Sequence, residues 1–134
     1  MQKPTNGELE ILRLLWQDSP ATVRQINDRL NARLGVDQKK IGYTTTLKLM
    51  QIMHDKKEML SRIREGKTHL YSPKISESDT QQVLVDRLLE TAFQGSAMKL
   101  VMKALGSSKS SPKELDEIRR YLDQMADPNS SDQS

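Results

Sequence analysis

The sequence predicts a mostly α-helical protein with one small β-hairpin, and three observations carry that reading. Four hydroxyl residues are each followed three positions later by an acid or a glutamine, in "TNGE", "TVRQ", "SESD" and "SPKE". In such pairs the hydroxyl and the later side chain each satisfy a free backbone donor at a helix start. Apolar residues then recur at helical spacing. Between the third helix and Ser76 the period shortens to two around a glycine, in "LSRIREGKTHLYSP". Three helices, a hairpin and further helices are the order of a winged helix-turn-helix domain followed by a helical extension.

The first helix is expected over 6–17, behind Thr5 and Glu8, and the second over 23–34, behind Thr22 and Gln25, with the polar link "DSPA" between them. The third, over 44–57, follows "GVDQKKIGY" and opens on Thr44, Thr45 and Thr46. β-Branched residues lose rotamer freedom in a helix, so this run answers some demand other than helix formation. One of the threonines can cap the helix, which explains one hydroxyl and not three. Short β-prone runs, Leu60 to Arg64 and Thr68 to Tyr71, flank "EGK" and are closed by Pro73. Gly66 can take positive φ at low cost there, which favours a tight turn.

Helices resume over 77–94, continue in "SAMKLVMKAL" beyond Gly95, and return over 112–125 after the serine-rich "SSKSS", with Pro112 at the first helical position. The expected division is a winged-helix domain over 1–75, a helical dimerisation region over 76–126 and a tail over 127–134. The tail has no apolar residue and is expected to be disordered.

At 134 residues, with 35% of them hydrophobic, the chain can bury one modest core. Without cysteine it has no disulfide, thiolate metal site or thiol nucleophile. No apolar run is long enough to span a membrane, and "MQKPTNGELE" lacks the apolar core of a signal peptide, so the expected location is the cytoplasm. Charge is divided along the chain. Residues 1–75 hold 14 Lys and Arg against 8 Asp and Glu, a balance of +6, and residues 76–134 hold 7 against 10, a balance of −3. A basic block joined to an acidic one points to a polyanionic partner for the first.

The basic density peaks between Lys39 and Lys74, where seven lysines and two arginines face three acids. On the third helix Thr46, Leu49, Met50 and Met53 make the core-facing stripe. Thr44, Thr45, Lys48 and Gln51 then share the opposite side. Short hydroxyls, an amide and a cation can reach base edges and phosphates, and threonine is short enough to let a helix end sit deep in a major groove. Arg62, Arg64 and Lys67 sit at or beside the hairpin tip, where they can neutralise phosphates. Leu47 and Ile52 interrupt the polar face.

In the extension, Leu84, Leu88 and Ala92 form one stripe, widened by Val85 and Leu89, and Leu115, Ile118, Leu122 and Met125 form another. So short a segment cannot bury this surface alone, and a second copy is the simplest cover. Leu84, Leu88, Leu89, Phe93, Leu100, Val101, Leu115, Ile118 and Leu122 are the expected dimer residues. No catalytic residue, metal ligand or cofactor is expected: there is no HExxH, no phosphate loop and no nucleophile elbow, and His54 and His69 read as surface or DNA-adjacent. A winged-helix module that binds protein instead of DNA is the alternative, against which the cationic wing tip argues.

"LEILRLLW" ending on Trp16, "ATVRQINDRL", "GYTTTLKLMQIMHDK" and "EGKTHLYSP" together resemble the penicillinase-repressor family of winged-helix repressors, in that family's order and spacing. The likeness is close from residue 5 to about 75; beyond it, helical layout and "ELDEIRRYL" carry it. The resemblance implies a homodimer on a palindromic double-stranded DNA operator, often with TACA-like half-sites, repressing resistance or transport genes. It implies DNA contacts at Thr44, Thr45, Lys48, Arg62, Arg64 and Lys67, dimerisation through the C-terminal helices, and an antirepressor or protease as a further partner. Penicillinase repressors are inactivated at an Asn-Phe bond, where the comparable "LVMKALG" offers Lys103-Ala104; copper-type members end in a cysteine cluster that this chain lacks.

Overall fold

The computed structural model describes residues 2–107 and 109–127, so the tail expected to be disordered lies outside the described residues from position 128 onward. The elements are α1 (Asn6–Gln17), α2 (Val23–Ala32), α3 (Tyr43–Asp55), β1 (Leu60–Glu65), β2 (Thr68–Pro73), α4 (Glu77–Ala92), α5 (Ala97–Ser107) and α6 (Pro112–Ala126). The predicted class, mostly α with a small antiparallel wing, is the observed one. Two compact units divide the chain, the first running to Arg87 and the second beginning at Leu88. Among the described residues no helix is long and apolar enough to cross a membrane.

Both expected capping boxes of the first unit form. The Glu8 N–H donates to Thr5 Oγ1 at 3.2 Å and the Thr5 N–H to Glu8 Oε1 at 2.9 Å; Thr22 and Gln25 repeat the exchange at 3.1 and 2.9 Å. α2 stops at Ala32, short of the expected residue 34. Its last turn tightens, the Arg33 N–H reaching Leu30 O at 3.3 Å and the Leu34 N–H reaching Asn31 O at 3.2 Å, a three-residue spacing that cannot propagate an α-helix.

Ile11, Leu12 and Leu15 of α1, Ile26 and Leu30 of α2, and Met50 and Met53 of α3 build the core, closed by Met59, Leu60 and Tyr71 of the wing. Each such side chain, fully buried, contributes about 1.5–3 kcal/mol. The strands pair antiparallel, Arg62 opposite Tyr71 and Glu65 opposite Thr68. Gly66, at φ +63°, takes the first central turn position, as in the two-residue hairpins that match strand twist. The wing is tied down at three places. Ala21 and Tyr71 exchange backbone bonds at 3.0 and 2.8 Å, the Lys74 N–H donates to Met59 O at 2.8 Å, and the Trp16 indole N–H donates to the Ile75 carbonyl at 3.0 Å.

Glu8 does more than cap. It is 2% exposed, and its Oε2 accepts from Lys57 Nζ at 2.7 Å, linking α1 to the end of α3. Burial pushes its pKa up, but the Lys57 hydrogen bond and charge and the Thr5 amide outweigh it and hold the carboxyl below its ordinary 4.5. A depressed carboxyl stabilises the fold fully above pH 4.5 and loses that contribution as pH falls through its lower folded value. Glu8→Gln should therefore cost about 1.5–3 kcal/mol at neutral pH and flatten the acid limb of the stability profile. Urea unfolding across pH 2 to 7 checks it; an unchanged acid limb would contradict this role.

The second unit holds the end of α4 with α5 and α6. α4 stops at Ala92, where Gln94 and Gly95 take φ of +50° and +82°. Ser96 and Ser111 hydroxyls accept from Lys99 and Glu114 N–H at 3.2 and 3.1 Å, so both later helices have N-terminal caps. Neither α5 nor α6 buries a residue.

Candidate nucleic-acid interface

α3 presents two distinct sides. Thr46, Met50 and Met53 are wholly buried, while Thr44, Thr45, Lys48 and Gln51 are all exposed. Leu47 is partly buried against the core, and Ile52 is 37% exposed.

No threonine caps α3. The helix begins at Tyr43, with Gly42 as N-cap and no side-chain cap bond. The entry is held from α2 instead. Asn27, itself buried, donates from Nδ2 to Thr46 Oγ1 at 2.8 Å and to the carbonyls of Ile41 and Gly42 at 3.1 and 3.3 Å. Asn31 accepts from the Ile41 N–H at 2.7 Å and donates to its carbonyl at 2.9 Å. Two asparagines thus fix the loop and leave Thr44 and Thr45 turned outward, with the first N–H groups of α3 free of side-chain acceptors.

On the wing, Arg64 and Lys67 are exposed and Arg62 is half-buried. The Arg62 guanidinium lies 6.0 Å from the Tyr71 ring centroid, and Arg64 Nε donates to the Gly66 carbonyl at 2.8 Å, folding the side chain against the turn. A cleft of about 460 Å³ opens between the start of α2, α3 and the wing, lined among others by Arg24, Tyr43, Gln51, Arg62, Lys67 and His69. The structure thereby groups Gln51 with two of the expected wing cations, and adds Arg24 and Tyr43, which sequence reasoning passed over. His54 is half-buried, edge-on to Tyr71 at 6.3 Å, with Nδ1 2.6 Å from Asp55 Oδ1. That hydrogen bond, aided by the charges of His54, Arg62 and Lys56, outweighs desolvation and holds the Asp55 carboxyl below its usual range.

Residues 4–124 match the penicillinase repressor family. The chain belongs to that family. It is also similar to the penicillinase repressor of Bacillus licheniformis, with 26% identity over 120 residues, 90% of this chain and 89% of the relative. The resemblance drawn from motifs is confirmed, and the match continues into α6, where helical layout carried most of it. The penicillinase repressor family is one of DNA-binding transcriptional repressors and not of enzymes.

A second candidate surface of this penicillinase-repressor chain is apolar. Leu84, Leu89, Phe93, Leu100 and Ile118 are half-buried, and Leu88, Val101, Leu115 and Leu122 are 43%, 43%, 41% and 52% exposed, so none of the nine is buried within one chain. Met98, Met102, Tyr121 and Met125 are more exposed still. Within the second unit, Phe93, Met98 and Met102 line a groove of about 750 Å³ together with Lys99 and Lys103. The Lys103-Ala104 bond lies inside α5, and both residues are exposed.

Proposed function

We propose that this protein represses transcription by binding a palindromic double-stranded DNA operator as a homodimer, α3 entering the major groove and the wing lying along the backbone. The observation that carries this reading is the exposed row Thr44, Thr45, Lys48 and Gln51 on a helix whose other side is locked in the core. A rigidly seated helix can present those groups to base edges at a fixed depth. The uncapped start of α3 offers free N–H groups and a partial positive charge to a phosphate oxygen. Arg62, Arg64 and Lys67 then add affinity that carries little base information. The second copy meets the apolar residues of α4 to α6, and an antirepressor or protease is the expected further partner. The family match supports the repressor part of this reading.

Salt titration tests it. Affinity for duplex DNA should fall steeply as salt rises, and alanine at Lys48, Arg62, Arg64 or Lys67 should each lower the log–log slope by about one per protomer. Binding that is indifferent to salt would contradict the proposal.

A further inference from the structure

Arg24 occupies the first turn of α2, where the helix macrodipole disfavours a cation and where α2 has no acid to offset it. Helix stability therefore does not explain an arginine there. Its guanidinium lies 4.8 Å from the centroid of the Tyr43 ring, at the first position of α3. That separation is a cation–π contact, which orients the charge while leaving its donors open. Arg24 is exposed and Tyr43 is 40% exposed, so the pair faces solvent. Both line the cleft of about 460 Å³ that Arg62 and Lys67 also line, and no carboxylate lines it. Three cations from α2 and the wing thus converge on one concavity beside the exposed row of α3.

The geometry points to this cleft as the seat of one backbone phosphodiester of bound duplex DNA, held by Arg24, Arg62 and Lys67, with Tyr43 as the positioning residue for Arg24. The inference rests on the DNA-binding reading above and extends it to a contact outside both the recognition helix and the wing. A phosphate fixed between α2 and the wing sets how α3 lies in its groove, so Arg24 acts on affinity and register and not on base choice.

The test uses the full-length protein and a duplex selected by it from random sequence. Arg24→Ala should bind about tenfold more weakly, as expected for loss of a charge-assisted hydrogen bond. It should lower the salt slope by about one per protomer and keep the same sequence preference. Its melting temperature should be unchanged or higher, since the cation leaves the unfavourable helix end. Tyr43→Phe should bind like the wild type; Tyr43→Leu should weaken binding about two- to fivefold and have no further effect in the Arg24→Ala background. Duplexes carrying one neutral methylphosphonate linkage at a time should reveal one linkage per half-site whose neutralisation weakens the wild type and leaves Arg24→Ala unaffected. Wild-type binding with an equally tight Arg24→Ala overturns the cleft alone; a wild type that binds no duplex overturns both the cleft and the reading it rests on. Thermal stabilisation of the DNA-free wild type by millimolar inorganic phosphate, lost in Arg24→Ala and with no linkage effect, would assign the cleft to free phosphate and also overturn it.

Discussion

Replacing Leu88 and Leu122 together by lysine should leave the full-length protein folded but monomeric, and should weaken operator binding by about 10² to 10⁴. Leu88 and Leu122 are 43% and 52% exposed, on helices that bury almost nothing within one chain: α5 and α6 have no buried residue, and α4 buries only Thr80. Exposed apolar surface of this extent on a soluble chain marks an interaction surface, and lysine at its centre carries a charge that association would have to desolvate. The core of the first unit is untouched, so the reading heads stay intact. What is lost is the link that makes the second half-site contact intramolecular. Sedimentation equilibrium and operator titration read the two effects together; a monomeric variant that still binds a whole palindrome tightly would show that dimerisation does not supply the affinity.

Tyr71→Ala should destabilise the first unit by about 3–5 kcal/mol, the range for truncating a buried aromatic ring. Tyr71 is 1% exposed, pairs through its backbone with Ala21, faces His54 edge-on at 6.3 Å and carries Arg62 over its ring at 6.0 Å. Removing the ring leaves the wing without its core contact, so proteolysis should cut the hairpin before the helices. Urea unfolding measures the loss; a cost under about 1 kcal/mol would mean that the site collapses around the gap and that the wing is seated by its backbone bonds alone.

Much of this fold is legible because its determinants are local. Thr5 with Glu8 and Thr22 with Gln25 announce helix starts three residues apart, and Gly66 announces a turn between two short runs. The two sides of α3 follow from a 3.6-residue period, which places Thr46, Met50 and Met53 inward and Thr44, Thr45, Lys48 and Gln51 outward. What escapes the sequence is set by residues far apart in it. A threonine run before a helix reads as a cap, yet Asn27 and Asn31 of the preceding helix hold the α3 entry, so no threonine is needed there. The pairing of Ala21 with Tyr71 has no local pattern at Ala21. Arg24 left a trace that could have been read, a cation in a helix's first turn, but its partner Tyr43 lies beyond a loop and only the fold brings the two together.

The most direct measurement for the central claim is selection of bound fragments from random duplex DNA by the full-length protein, repeated with Thr44→Ala and Thr45→Ala. The account predicts a palindrome whose half-sites lie about one helical turn apart, or a multiple of it. It also predicts that at least one threonine variant relaxes the preference at a single base pair in each half-site. Enrichment of no sequence, or of one without two-fold symmetry that both variants leave unchanged, would contradict it.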